Sequence, residues 1–521
     1  MTSSSITPIP IRVSRKILAD IGRGIYRTPG NALKELVSNS FDAQAKHVWI
    51  TTNAPYFDTF TCEDDGEGMT PDEFIDYIRN VGSSTKRKGE DHAGNRPIIG
   101  KIGIGFFAVS QICNRLTVIS KKKGTKNYFR AKIDLTQFDR DEPYRSGRGD
   151  IDLGECYIEK DIEAPPEEKD CQYTKVIMDS LREGFTNKLA DATSISLFAH
   201  NQRMKARRIR DLKELIDFIS ANGKKGLREI SQYDLMLWEL GLLCPVEYID
   251  GGPFRFPHDA VSADAERLKN YSFKVYIDGL EIRKPLLFPT DSTFKQENAD
   301  FRLYYPIQYN GEVEGEVLSF HGYVFSQRAR IVPPEIQGIL VRIRDVAIGT
   351  YDKTLLHYPK EEGPIFSLIS GEIFVEKGLE AALNIDRNSF NETHPHFEKL
   401  SEVLWTFVKK VVVGDIRTRS NKRNLALRVE RSEDLSRQYC EWISSETKSR
   451  IRLVRSSDSN EKPYVFDDRT GKLTVYKNPW WERAQQPRYF QEKALLAYYA
   501  AKCSENGGNF EEIFLALLGR R

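Results

Sequence analysis

Glu35, Asn39 and Asp42 follow one another at intervals of four and three residues, a spacing that a helix would set along one side. A carboxylate and an amide one turn apart suit two tasks at once. The carboxylate can polarise a water, while the amide oxygen can hold a magnesium ion that is itself bound to phosphates. Asp42, nearly one further turn along, would orient the pair. About twenty residues later comes Asp64-Asp65-Gly66-Glu67-Gly68-Met69. Its two glycines let backbone approach a ligand, so Asp64 is placed to accept the exocyclic amino group of an adenine. Further on, Gly100, Gly103 and Gly105 precede the apolar run from Phe106 to Val109, the pattern in which unpaired amides at a helix start hold phosphate. Taken singly, E-x-x-x-N is most often the polar face of an amphipathic helix and D-x-G a turn. Three such motifs in order within about seventy residues specify an ATP site, because independent coincidences multiply.

The elements that must position these residues are legible. Leu33, Leu36, Val37, Ser40 and Phe41 repeat at helical spacing and predict one buried stripe, with Glu35 and Asn39 beside it. Thr59-Phe60-Thr61-Cys62 reads as a strand that delivers Asp64 at its end. The polar segment between Gly82 and Gly100, rich in Ser, Lys, Gly, Asp and Asn, reads as a mobile lid with glycine hinges. A chain of 521 residues is too long for one core. Three units are expected: residues 1–250 with the nucleotide motifs, closed by a helical stretch from Leu212 to Leu242 and the loop Asp250-Gly251-Gly252-Pro253; residues 251–415, a mixed α/β unit; and residues 416–521, a basic region. The second unit is expected to open on the hairpin Phe273–Ile277 with Asp278-Gly279 and to turn again near Asn310-Gly311. The fold class is α+β, an N-terminal α/β sandwich followed by a mixed α/β domain and a small C-terminal region.

The motifs resemble the GHKL superfamily of gyrase, heat-shock protein 90, histidine kinase and MutL, built on the Bergerat ATP-binding fold. Lys34 through Ala45 is most similar to MutL. Ile99 through Val109, with Leu116 to Lys121, is similar to the heat-shock protein 90 chaperones, as are Asn80 to Lys86 and Thr174 to Met178. Tyr173 stands where that family usually has a glycine before the threonine. The resemblance implies Glu35 as general base, Asn39 as magnesium ligand, and Asp64 as the reader of adenine. Asp42, Ala43, Gly66, Gly68, Met69 and Thr174 would surround the nucleotide. Asn80 and Lys86 would touch ribose or phosphate, and Gly100, Ile102, Gly103, Ile104, Gly105 and Phe106 would cradle the phosphates. Gly338 to Ile348 resembles the chaperone middle-domain strand. Leu383-Asn384-Ile385-Asp386-Arg387 resembles the loop whose arginine reaches the γ-phosphate, so Arg387 is the expected second catalytic residue, a guanidinium having two fixed donors for phosphate oxygens.

Composition narrows the rest. A balance of 40% hydrophobic and 29% charged residues is globular. Seven cysteines without a C-x-x-C pair indicate neither a disulfide frame nor a zinc ribbon, and His394 and His396 lack a third ligand. No apolar signal core and no run long enough to span a membrane is present, so the cytoplasm is the expected location. A net charge of +2 excludes a bulk polycation and leaves local patches. Between Arg417 and Arg455 eleven basic residues face five acidic ones, a stripe that would suit nucleic-acid phosphate or simply a solvated helix. The expected function is a Mg-dependent ATPase whose lid closure and nucleotide-dependent homodimerisation clamp or remodel a protein client. The alternative is a double-stranded DNA clamp of MutL or MORC type in DNA maintenance or defence. The N-terminal arm with Ile6, Ile9, Ile11 and Val13 could exchange between subunits as a strand. Histidine kinase and topoisomerase chemistry are disfavoured, since no dimerising phospho-acceptor helix pair and no acidic toprim-like cluster is legible.

Overall fold

In the computed structural model the described residues are 28–79, 92–93, 96–99, 109–110, 112–136, 155–168, 170–189, 212–221, 223–256, 258–290, 300–360, 362–384, 387–446, 450–455, 464–467, 469, 472–477, 495–496, 498–500, 502–509, 512–513 and 516–517. The N-terminal arm and most of the expected lid lie outside them.

Helix α1 (Pro29–Asp42) starts where the sequence offers a cap. Thr28 accepts the Asn31 amide on its hydroxyl, and Pro29 occupies the first turn, where its missing N–H costs nothing. The expected stripe of Leu33, Leu36, Val37, Ser40 and Phe41 is buried throughout, and the Phe41 ring meets Tyr271 and Phe273 edge-on at centroid distances of 5.2 and 5.1 Å. Lys34, Glu35 and Ser38 are buried as well, so this part of the polar face of α1 does not look into solvent, while Asn39 and Asp42 stay part-exposed. The buried part is covered by the second sheet, towards which Lys34 Nζ donates to the Ala347 carbonyl.

The remaining elements of residues 1–412 follow in order: β1 (His47–Thr51), β2 (Phe60–Asp64), α2 (Pro71–Arg79), β3 (His92–Ala93), β4 (Arg96–Pro97), β5 (Cys113–Lys121), β6 (Asn127–Asp134), β7 (Glu155–Glu163), β8 (Tyr173–Leu181), α3 (Glu183–Leu189), α4 (Leu212–Ala221), α5 (Gln232–Leu243), α6 (Asp259–Asn270), β9 (Lys274–Ile277), β10 (Leu280–Ile282), β11 (Phe301–Val313), β12 (Glu316–Gln327), β13 (Gly338–Ile343), β14 (Val346–Asp352), β15 (Ile369–Lys377) and α7 (Pro395–Phe407). Eight strands form the first sheet in the order β10-β9-β1-β2-β8-β5-β6-β7. All its pairings are antiparallel except β1 with β9. In β2 the side chains of Phe60, Cys62 and Asp64 alternate inward, which brings the Asp64 carboxylate under α1.

Three features differ from the sequence reading. Lys274–Ile277, expected to open the second unit, pairs in parallel with β1 of the first sheet, and its Asp278-Gly279 turn carries positive φ at both residues as a two-residue hairpin requires. The helical stretch from Leu212 is interrupted by a 3₁₀ turn at Gly223–Glu229, where Gly226 has φ 59°, and restarts at Ser231, whose hydroxyl caps α5. Strand β11 runs straight through Asn310-Gly311, and the chain reverses at Glu314-Gly315 instead, with φ of 53° and 87°. An N-G pair does not force a turn when both flanks continue in register.

The second sheet has the order β11-β12-β15-β13-β14, with β13 and β15 parallel. Its residues Tyr323, Phe325, Leu340 and Phe374 share one core with Phe41, Val275, Trp238 and Leu242. Apolar burial is therefore continuous across residue 250. Residues 413–521 form a separate compact unit with α8 (Gly414–Glu446) and a sheet of β16 (Arg450–Arg455), β17 (Tyr464–Asp467) and β18 (Lys472–Lys477) in the order β16-β18-β17. No helix among the described residues is long and apolar enough to cross a membrane. His394 caps α7, and His396, buried, accepts the Leu379 amide.

Candidate active site

Asp64 ends β2 against the last turns of α1. Ser40, in the last turn of the helix, donates its hydroxyl to Asp64 Oδ2 at 2.7 Å, and the Gly66 amide donates to Oδ1 at 2.9 Å. Burial nonetheless dominates and pushes the Asp64 carboxyl up from 3.8 to about 6, hydrogen bonds from Ser40, Gly66 and the Thr174 backbone opposing it only in part. A carboxylate has room for about four hydrogen bonds, so acceptor capacity remains. Gly66 lies against the helix end, where a Cβ would come within 2.8 Å of both the Ala43 carbonyl and Asp64 Oδ1. Gly68 adopts φ +67°, and a Cβ there would overlap the Lys121 carbonyl at 2.1 Å. The glycines are thus demanded by close packing of the β2–α2 loop on α1 and β5. Behind Asp64, its cross-strand neighbour Thr174 places Oγ1 3.0 Å from Ser120 Oγ, and Ser120 accepts the Met69 amide.

Glu35 is buried one turn before Asn39, which is part-exposed. Its Oε2 meets Arg387 Nη1 at 3.1 Å, although 352 residues separate the two in sequence. Glu35 Oε1 and Arg387 Nε are buried without a hydrogen-bond partner. Arg387 itself holds φ 50° and also donates to the Ile99 carbonyl at 2.9 Å. Asp42 Oδ1 accepts the Ile99 amide at 2.7 Å. Arg96 is buried, lies over the Phe41 ring and donates to the Ala45 and Tyr271 carbonyls. The far end of the expected lid segment, Arg96 to Ile99, is therefore fastened to α1 and its surroundings. A cavity of about 310 Å³ opens beside it, lined by Lys34, Ile98, Ile99, Arg344, Glu380 and Arg387 among others.

The structure brings Glu35, Asn39, Asp42, Ala43, Asp64, Gly66, Gly68, Met69, Thr174 and Arg387 into one region around α1. Asn80, Lys86 and Gly100, Ile102, Gly103, Ile104, Gly105 and Phe106 lie outside the described residues. Sequence reasoning missed Ser40, Ser120 and Arg344 as polar participants. Ser40 stood in the buried stripe, and a hydroxyl repeating with core residues was the available signal.

Residues 26–149 match the family model described as "Histidine kinase-, DNA gyrase B-, and HSP90-like ATPase". This segment is similar to the ATPase domains that the model describes, and it makes up about a quarter of the chain. The chain is 31% identical over 137 residues to the chaperone protein HtpG of Bacillus subtilis, a match covering 22% of each chain. The HtpG proteins of Rhodococcus jostii and Shigella dysenteriae are 29% and 30% identical over 136 and 124 residues, covering 21% and 20% of this chain and of the relatives. The chain thus spans about a fifth of the length of the relatives it matches. The part of the site contributed from outside the matched segment, Arg387 above all, lies beyond residue 149 and rests on this structure alone.

Proposed function

We propose that the protein is a Mg-dependent ATPase in which Glu35 activates the attacking water and Arg387 answers the γ-phosphate. The observation that carries this reading is the buried contact between these two residues, one from the GHKL helix and one from the loop after β15. Adenine would be recognised at Asp64, whose remaining acceptor sites suit an amino donor, and Gly66 and Gly68 keep the neighbouring backbone close. The orphaned Glu35 Oε1 suits a water-bound partner. Asn39 would hold the magnesium ion, which on binding would neutralise phosphate charge. Arg387 neutralises Glu35 while the γ-phosphate is absent, and phosphate competes for the guanidinium, freeing the carboxylate for proton abstraction. ATP hydrolysis is then confined to a state in which the second sheet is engaged, the coupling a client-remodelling machine needs. Similarity to the HtpG chaperones supports a protein client, action as a homodimer and a cytoplasmic setting.

ATP turnover of the full chain tests this. Turnover in the parent that disappears in Glu35→Ala with nucleotide binding retained is the expected result, and full turnover in the variant overturns the assignment of the base. Light scattering of Glu35→Ala is expected to show a tighter dimer with Mg-ATP than with ADP. The DNA-clamp reading is favoured by the exposed Arg417 and Lys422 on α8 and the basic excess that follows. Stimulation of turnover by double-stranded DNA that fades across a salt series distinguishes it.

A further inference from the structure

We propose that Arg344, at the tip of the β13–β14 hairpin, is the positioning residue that sets the start of the phosphate-binding segment and the Arg387 loop in one register. The inference rests on the ATPase reading above and deepens it. Arg344 Nη1 donates to the Ile98 carbonyl at 2.6 Å, the residue before the one whose carbonyl Arg387 holds. Its Nε and Nη2 lie 3.1 and 3.0 Å from Glu380 Oε1, and Glu380 begins the short 3₁₀ turn of the loop that ends in Arg387. One guanidinium thus bridges the two segments that must converge on phosphate, with its side chain only 9% exposed.

The backbone beneath it carries an independent sign of use. Ile343 and Val346 pair across a two-residue turn in which Arg344 and Asp345 both adopt positive φ, 52° and 68°. Such turns favour Asn-Gly, Asp-Gly or Gly-Gly because other side chains are strained there. Strain of this kind persists where the surroundings over-determine it and clusters at functional sites. Here Asp345 is locked by two hydrogen bonds from Arg267, at 3.0 and 2.6 Å, and one from Tyr271 at 2.8 Å. The Tyr271 carbonyl in turn accepts from Arg96, two residues before Ile98. A glycine at 344 would satisfy the turn but could hold neither Ile98 nor Glu380, so the bridge depends on the arginine side chain.

The variants Arg344→Gly, Arg344→Ala and Arg344→Lys of the full chain separate positioning from folding. Arg344→Gly relieves the turn, so its melting temperature is expected to match or exceed that of Arg344→Ala. Its kcat for ATP is nevertheless expected to fall roughly ten- to a hundredfold, the scale of a displaced reacting group. ADP affinity should change less than about threefold, because ADP does not call on the γ-phosphate contacts. Arg344→Lys should restore part of the rate. Parent-like kcat in Arg344→Gly overturns the inference, as does a loss of kcat that follows melting temperature and ADP affinity down together. A parent chain that neither binds nor turns over ATP overturns the ATPase reading itself, a result distinct from a working parent indifferent to residue 344.

Discussion

Arg387 Nη1 stands 3.1 Å from Glu35 Oε2 inside the protein, and each residue has one further polar atom that is buried without a partner. A buried ion pair of this kind is costly to break from one side only, since the remaining charge stays desolvated. Arg387→Ala is therefore expected to destabilise the nucleotide-free chain by about 3 kcal/mol or more, and Glu35→Ala/Arg387→Ala to recover much of that loss. Denaturant unfolding of the two single variants and the double variant checks the coupling. On turnover the two residues should act as a unit: Glu35→Ala removes on the order of 10²- to 10⁴-fold of rate, and adding Arg387→Ala to it should cost little more. Independent, multiplying losses would mean that the two do not serve the same step of the reaction.

The Asp64 carboxyl, pushed up to about 6 by burial, gives the site a pH signature. An amino donor prefers the ionised carboxylate, so nucleotide affinity should be full above pH 6 and decline as pH falls through it. The stability of the nucleotide-free chain should run the other way. Because the folded pKa lies above the ordinary 3.8, the folded state holds the extra proton between about pH 4 and 6, and the associated stability is lost as pH rises through that window. Titration calorimetry across pH 5 to 8 should find proton release on binding at the acid end. Asp64→Asn should abolish it, and unchanged proton release in that variant would move the titration to another group.

Much of this site was legible because local rules decided it. The α1 stripe, the strand before Asp64 and the glycines after it follow from periodicity and backbone freedom, and Arg387 was reachable through resemblance of its loop. Ser40 and Ser120 were not, because a hydroxyl's partner depends on which strands become neighbours. Arg344 was less legible still: in sequence it is one arginine after a strand, and only the placement of the second sheet over α1 brings Ile98 within its reach. The polar face of α1 misled for the same reason, since helical periodicity reports a buried stripe but not whether another sheet covers the opposite side. Assigning Lys274–Ile277 to the second unit failed because a parallel pairing with β1 requires a long connection that leaves no local trace.

Gly68 and Gly124 both hold positive φ, 67° and 79°, yet they differ in surroundings. A Cβ at Gly68 collides with the Lys121 carbonyl, whereas nothing lies within 4 Å of one at Gly124. Gly124→Ala should therefore cost about 1 kcal/mol, the conformational strain alone. Gly68→Ala must also push β5 away from the β2–α2 loop and is expected to cost clearly more, with nucleotide affinity falling because Met69 and Ser120 shift together. Chemical denaturation of the two variants side by side provides the comparison, and equal losses would remove the close approach as the reason for Gly68.

The start of α1 offers a last test, one that reaches this helix without touching Glu35 or Arg387. Glu239 of α5 accepts the Thr28 hydroxyl at 2.7 Å, and a Cβ on Gly30 would lie 2.5 Å from its Oε2, so the missing side chain lets this carboxyl reach the helix start. Burial pushes Glu239 up from 4.5 to about 7, with the Thr28 hydrogen bond opposing. Since the folded pKa is raised, the neutral form favours folding: the stability is fully present below about pH 4.5 and is lost as pH rises through 7. At about 1.4 kcal/mol per pH unit the loss is on the order of 3 kcal/mol. Glu239→Gln keeps the hydrogen bond to Thr28 and removes the ionisation. It should therefore unfold at higher denaturant than the parent at pH 8 and lack the parent's decline between pH 5 and 7. An anion stabilised by the N-terminal end of the α1 dipole would instead make the glutamine variant weaker at pH 8, and the sign of that single difference decides whether α1 is docked by a neutral or a charged Glu239.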